Sequence, residues 1–143
     1  MPVQDRIVQG FTIIEHPSDV GIEARGASLK DAFVQAAYGL MSIIVERETV
    51  YEAETKTVVL ASTDYERLLV KWLSELVYLY DGNHFLAAGI SIDTLTHDGL
   101  SATIRGETFD ASRHRVLVDV KAVTYHQLVV DPEHNFVRFF LDV

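Results

Sequence analysis

Apolar residues alternate or run together over positions 11–25, as FTIIE and then VGIEARG, which predicts a strand, a turn and a second strand. The turn is HPSD at 16–19. Pro17 stops the hydrogen-bonding ladder, and Ser18 and Asp19 can bond their own backbone. From 29 to 45 the period changes. Leu29, Ala32, Phe33, Ala36, Leu40, Ile43 and Ile44 recur at helical spacing, with Ser28 placed to cap the helix and Asp31 three residues on. Residues 50–61, rich in Val and Thr, predict a long strand. Thr63-Asp64-Tyr65-Glu66 has the form of a capping box and opens a second helix to about Tyr80. Its buried stripe is Leu69, Trp72, Leu73, Leu76 and Leu79 or Tyr80, and Asp81-Gly82-Asn83 ends it. A hairpin follows, with strands near 85–96 and 100–106 around Asp98-Gly99. Arg113-His114 falls in a loop. Residues 115–130 predict a strand with a bend around 121–124, and Asp131-Pro132 turns the chain into a last strand, FVRFFLDV, at 136–143.

Two helices among roughly seven strands, without βαβ alternation, predict an α+β fold: mostly antiparallel sheet with both helices packed on it. The strand–helix–strand order occurs twice, which allows a weak internal duplication, but no repeated sequence establishes one. The 143 residues suit a single domain over 1–143.

Composition narrows the chemistry. An apolar share of 48% with 23% charged residues is that of a soluble globular protein. No apolar run is long enough to span a bilayer, and MPVQDRIVQG at the start lacks a signal-peptide pattern, so a cytoplasmic location with no membrane partner is expected. The absence of cysteine excludes disulfides, thiol catalysis and thiolate metal sites, leaving oxygen and histidine as ligands. Twelve basic against 21 acidic residues give a net charge of -9. Such a chain repels phosphate and is a poor stand-alone nucleic-acid binder; a cation or a basic protein surface suits it better.

The last strand carries the sharpest chemical signal. Asp142 stands next to the carboxylate of the final residue, Val143, in otherwise apolar surroundings, and two carboxylates in a poorly solvated site oppose each other's ionisation. Asp19 in the HPSD turn offers a third. Asp19, Asp142 and Val143 would together supply oxygen donors to a hard divalent ion, calcium or magnesium rather than zinc. Spacing alone still favours a capped turn and a solvated chain end over a cation site. Of the six histidines, His84, His97 and His134 fall in turns or loops and are expected in solvent. His16, His114 and His126 stand near polar residues within apolar segments, where a metal-ligand or acid–base role competes with ordinary hydrogen bonding to backbone. Lys121 interrupts VLVDVKAVTYH and would snorkel to the surface or pair with a carboxylate. Gly106-Glu107 with Asp110 and His114 is polar enough for a loop site and equally ordinary as surface. Gly21 and Gly26 suit turns or close packing. The chain has no nucleophile elbow, P-loop, dinucleotide fingerprint or HExxH pair, so catalysis is not the leading expectation.

HPSDVGIEARG, WLSELVYLYD, GETFDASRHRVLVDVKAVTYHQLVV and the terminal FLDV, in that order, resemble the archease family over about residues 14–143. Archeases are protein cofactors of the RtcB-type RNA-splicing ligase, which they help to guanylylate and to turn over repeatedly in tRNA splicing and RNA repair. The resemblance implies a non-enzymatic activator here, with that ligase as partner. It also implies a divalent cation, calcium first, with magnesium or manganese as alternatives. Asp19 and Asp142 match the family's metal-binding aspartates, with Val143 beside them; His16, Lys121 and His126 are candidates for supporting or partner-facing roles. The family usually has HTAD where this chain has HPSD, and isoleucine where it ends in Val143. Two other functions compete. One is a small metal-dependent hydrolase built on His16, Asp19, His114 and Asp142. The other is a chaperone-like modulator of another RNA-modifying enzyme, such as a methyltransferase.

Overall fold

The computed structural model describes residues 10–15 and 19–143. Seven strands and two α-helices follow the order β1 (Gly10–Glu15), β2 (Asp19–Arg25), α1 (Leu29–Ile44), β3 (Glu54–Ala61), α2 (Tyr65–Asn83), β4 (Phe85–Thr96), β5 (Gly99–Thr108), β6 (Ala122–Asp131) and β7 (Phe136–Asp142). All strand pairs are antiparallel. They form two sheets: four strands in the order β1-β2-β7-β6, and three in the order β3-β5-β4.

The helices join the sheets. Each has apolar residues over more than a narrow stripe, and each touches both sheets: α1 packs on β2 and β4, α2 on β6 and β4. One core results, with Phe33, Leu40, Trp72, Leu73, Ile22, Phe139 and Ile104 almost fully buried. The Trp72 indole donates to the Phe33 carbonyl at 3.0 Å, tying α2 to α1 inside it. No helix among the described residues is long and apolar enough to cross a membrane.

Ser28 caps α1 as expected, accepting from the Asp31 amide at 3.1 Å. Besides β3, which starts at Glu54 rather than at residue 50, three boundaries differ from the sequence pattern. The cap of α2 is Asp64, whose carboxylate accepts from the Arg67 amide at 2.7 Å, so the start lies one residue later than a Thr63–Glu66 box requires. That helix also runs past Tyr80 through Asp81 and Gly82 to Asn83, and stops at His84, which adopts φ 55 and returns its amide to the Tyr80 carbonyl at 2.8 Å. Third, residues 115–121 are not part of a strand. Their burial alternates as an extended segment should, with Val120 buried and Val118 against the core, but no neighbouring strand pairs along them. Their main-chain anchors are an isolated bridge from Val116 to Val45, the Leu117 amide bonded to the Ile44 carbonyl, and the Lys121 amide bonded to the Asp142 carbonyl. Alternation reported burial, and pairing needed a partner that the topology does not supply.

Candidate functional site

Strand β2 begins at Asp19 and β7 ends at Asp142, and their register sets these two residues directly opposite each other. Cross-strand partners share a face of the sheet, with Cβ atoms roughly 4.5–5.5 Å apart. That face is the outer one. Ile22 with Phe139 and Ala24 with Val137 point into the core. The alternate positions Asp19, Gly21 and Glu23, opposite Asp142, Phe140 and Arg138, therefore line the outside. Asp142 is exposed, while Asp19 is half-buried with its Oδ1 shut off from solvent.

The surroundings hold the pair in place. Ala122 of β6 is the partner of Asp142 on its other side, and the Lys121 amide donates to the Asp142 carbonyl at 2.8 Å. The Val143 side chain packs against the core, which keeps its main chain beside the pair. Like charges set opposite each other destabilise a sheet; a hard cation between them reverses the sign, and the donor set is the oxygen-only kind such ions take. Among the described residues no three histidine, aspartate or glutamate side chains gather into a cage. An ion at this end would rely on the two carboxylates, main-chain oxygens and water.

The other sequence candidates scatter around this end. Lys121 is exposed and lines a groove of about 280 Å³ with Ser74, Val77, Tyr78 and Asp81 of α2 and Ala122 and Val123 of β6. It precedes the strand that was expected to contain it. His126 is exposed, with its ring edge-on to Phe140 at 5.9 Å. His16 lies outside the described residues. His84, His97 and His134 are exposed, His134 paired with Asp131 at 2.7 Å and His97 with Asp98 at 3.2 Å.

His114 belongs to a different cluster, and here the sequence signal was weak. Among the described residues, Glu107 and His114 are the buried side chains with ionisable groups. Arg113 grips Glu107 with two hydrogen bonds of 2.7 and 2.8 Å, the Tyr51 amide adds one of 2.8 Å, and His114 Nε2 lies 2.9 Å from the same carboxylate. His114 Nδ1 accepts from the Asp110 amide at 2.9 Å, which leaves Nε2 as the protonated nitrogen of the neutral ring. The Arg113 hydrogen bonds, opposed by burial and aided by Tyr51 and His114, lower the Glu107 pKa to about 2. The Arg113 guanidinium also lies over the Tyr51 ring, 4.6 Å from its centre. The cluster fastens the 109–121 loop to β5 and to the segment before β3. The polar run GETFDASRH hinted at it, but only packing distinguished a buried network from a surface loop. Because His114 is committed there, it does not join Asp19 and Asp142 in a hydrolytic centre.

Residues 11–143 match the model of the Archease protein family. The chain belongs to the archease family. An archease of Sulfurisphaera tokodaii is 32% identical over 142 residues, covering 95% of this chain and all of that protein. An archease of Saccharolobus islandicus is 35% identical over the same shares. The solution structure of protein 1598 of Methanobacterium thermoautotrophicum superposes with a TM-score of 0.74 at 27% identity, covering 95% of this chain and 100% of that one. The crystal structure of an archease from Thermotoga maritima, titled a possible chaperone, shares the fold with a TM-score of 0.54 at 18% identity, over 91% and 94% of the two chains. The α+β architecture expected from the sequence is that of solved archease structures.

Proposed function

We propose that this protein is a non-enzymatic activator of an RtcB-type RNA ligase, promoting the ligase's guanylylation and repeated turnover in tRNA splicing and RNA repair in the cytoplasm. In this reading Asp19, Asp142 and a main-chain oxygen of Val143 hold a divalent cation, calcium first, with magnesium or manganese able to substitute. The observation that carries it is the register of β2 on β7, which sets Asp19 against Asp142 on an outward face. A counter-charge between opposed carboxylates at a strand end relieves their repulsion, and a cation at the surface is available to a partner. When bound, the ion would supply positive charge that neutralises the pair and presents open coordination to the docked ligase. The chain's own residues orient that end: the Lys121 amide fixes the Asp142 carbonyl, and the Val143 side chain anchors the strand end in the core. Lys121 and His126 flank the pair and would face the partner, with His16, outside the described residues, as a further candidate. A hydrolase is disfavoured because His114, one of the two histidines it would draw on, is held by Glu107 and the Asp110 amide.

The test is reconstitution. Ligase guanylylation is followed with GTP and a divalent ion, with and without this protein. Stimulation is expected, and Asp142→Ala or chelation of the protein's ion should abolish it. No stimulation by the intact protein would sink the reading; full stimulation by the variant would remove the metal from it.

A further inference from the structure

Helix α2 ends in unopposed negative charge. Its last turn holds Asp81 and no basic residue, where the helix dipole already gathers partial negative charge. Asp119, on the segment before β6, adds a second carboxylate. Burial, then the charges of Asp81 and Asp119, hold the Tyr80 phenol above its ordinary pKa. Both carboxylates are exposed, and among the described residues neither has an ion-pair or hydrogen-bond partner. Tyr78 stands beside this charge. It is 60% exposed, one turn before Asp81 on the same helix face, and both line the groove that α2 makes with β6. A Cβ at Gly82 would lie 3.2 Å from Tyr78 Cε1 and 3.3 Å from Cζ, so the ring rests against bare backbone there. Glycine weakens a helix interior, and here it makes room for that ring. Across the groove Lys121 is exposed, and among the described residues its ammonium meets no carboxylate and no ring. Val77, Ala122 and Val123 add apolar walls. Strand β6 is the edge of its sheet, with no described strand on its outer side. Past Thr124 it bulges, residues 125–128 standing opposite Phe139 alone, so Ala122–Thr124 is the regular edge at the groove.

The groove therefore joins an anion, a ring, a cation and apolar walls within about 280 Å³. The molecule fills half of this pattern itself elsewhere, where Arg113 lies over the Tyr51 ring while it bonds Glu107. At Tyr78 and Asp81 the same two groups stand together with no arginine of this chain on them among the described residues. Arginine suits them better than lysine, because its plane stacks on a ring while its edge pairs with a carboxylate. We infer that this groove seats an extended segment of the partner ligase, with an arginine of that segment between the Tyr78 ring and the Asp81 carboxylate and an acidic group beside Lys121. The occupant follows from the two unpaired signs of charge. A nucleic-acid strand would bring phosphates toward Asp81 and Asp119, which repel them. A polyamine would satisfy those carboxylates but meet Lys121 with like charge. A protein segment carries both signs, apolar side chains and a backbone that pairs with a free strand edge. The ring, already held against Gly82, loses little freedom when the segment arrives. The inference rests on the proposed ligase-activator role and adds to it the contact by which the ligase is gripped.

The experiment titrates this protein into the guanylylation reaction and reads two quantities: the half-saturating concentration and the plateau. Tyr78→Ala and Asp81→Asn should each raise the half-saturating concentration about fivefold or more and keep the plateau. Tyr78→Phe, which keeps the ring, should stay within about twofold of wild type. The double variant Tyr78→Ala with Asp81→Asn should stay within about twofold of the worse single one, because both groups hold one guanidinium. The thermal shift produced by calcium chloride should be the same in every variant, since the groove residues lie outside the acidic pair. Half-saturation unchanged by both single variants, in a reaction that wild type stimulates, would overturn the arginine seat and leave the activator role intact. Effects that multiply in the double variant would also overturn it, since the two side chains would then hold different groups. A ligase indifferent to wild type would overturn both proposals. If calorimetry shows free L-arginine binding wild type but not Asp81→Asn, while ligase half-saturation is the same for both, the groove takes a small molecule and the docking inference falls.

Discussion

Glu107 shows how much one buried carboxylate can organise. It receives hydrogen bonds from Arg113, from the Tyr51 amide and from His114, so two separate segments converge on one side chain of a third. Glu107→Gln keeps the shape but removes the charge that Arg113 faces. Stability should fall by roughly 2–3 kcal/mol in denaturant titration, at or below the lower end of the range for a buried pair that loses one partner, because the Arg113 side chain is 35% exposed. The pH dependence has a definite sign. The folded pKa, about 2, lies below the ordinary 4.5. The carboxylate's contribution is therefore complete above pH 4.5 and is lost as pH falls from there toward about 2. Thermal melts across that window should show a steeper acid loss in wild type than in Glu107→Gln. Parallel profiles would mean that the carboxylate is not held in this way. Sequence placed Glu107, Asp110 and His114 in one polar stretch, but their burial came from the core closing over them.

At the level of elements, helices were the most legible. The Leu29-to-Ile44 pattern and the Leu69–Leu79 stripe matched their helices because a helix is specified by its own periodicity and cap. Strand edges were less so. Gly21 suited close packing, and the structure shows against what: a Cβ built there would lie 2.7 Å from Phe140 Cε2 and 2.9 Å from Cζ. The ring is buried between β2 and the β6 bulge and has little room to retreat. Gly21→Ala should thus cost about 1–3 kcal/mol by overpacking, measured by chemical denaturation, and shift the His126 ring resonances in an NMR spectrum. An unaltered His126 would show that β2 and the bulge are not mechanically joined through Phe140. The bulge itself had no sequence signal. TYHQLVV is acceptable as a strand, and only the mismatch in length against β7, four residues opposite one, makes the chain accommodate three extra residues there.

For the molecule as a whole, charge and topology act together. A protein of net charge -9 docking by a carboxylate-bearing face onto a basic partner should associate in a salt-dependent manner. Raising salt from about 0.05 to 0.5 M is expected to weaken half-saturation of the ligase severalfold, mainly through slower association. A flat salt response would argue for an apolar interface instead. The split into two sheets bridged by helices was not visible beforehand, because strands of like pattern carry no label for the sheet they join.

The sequence by itself determined the α+β class, both helices, the β4–β5 hairpin and the acidic character, since each rests on local periodicity, turn chemistry or composition. It also supplied Asp19 and Asp142 as chemically exceptional residues. Tertiary structure decided that they meet. Asp19 and Asp142 are separated by nearly the whole chain, and only the pairing of β2 with β7 sets one opposite the other. The same closure buried His114 with Glu107, away from that pair. Contacts of this kind depend on which strands become neighbours, a choice made by the collective burial of the core rather than by any one segment.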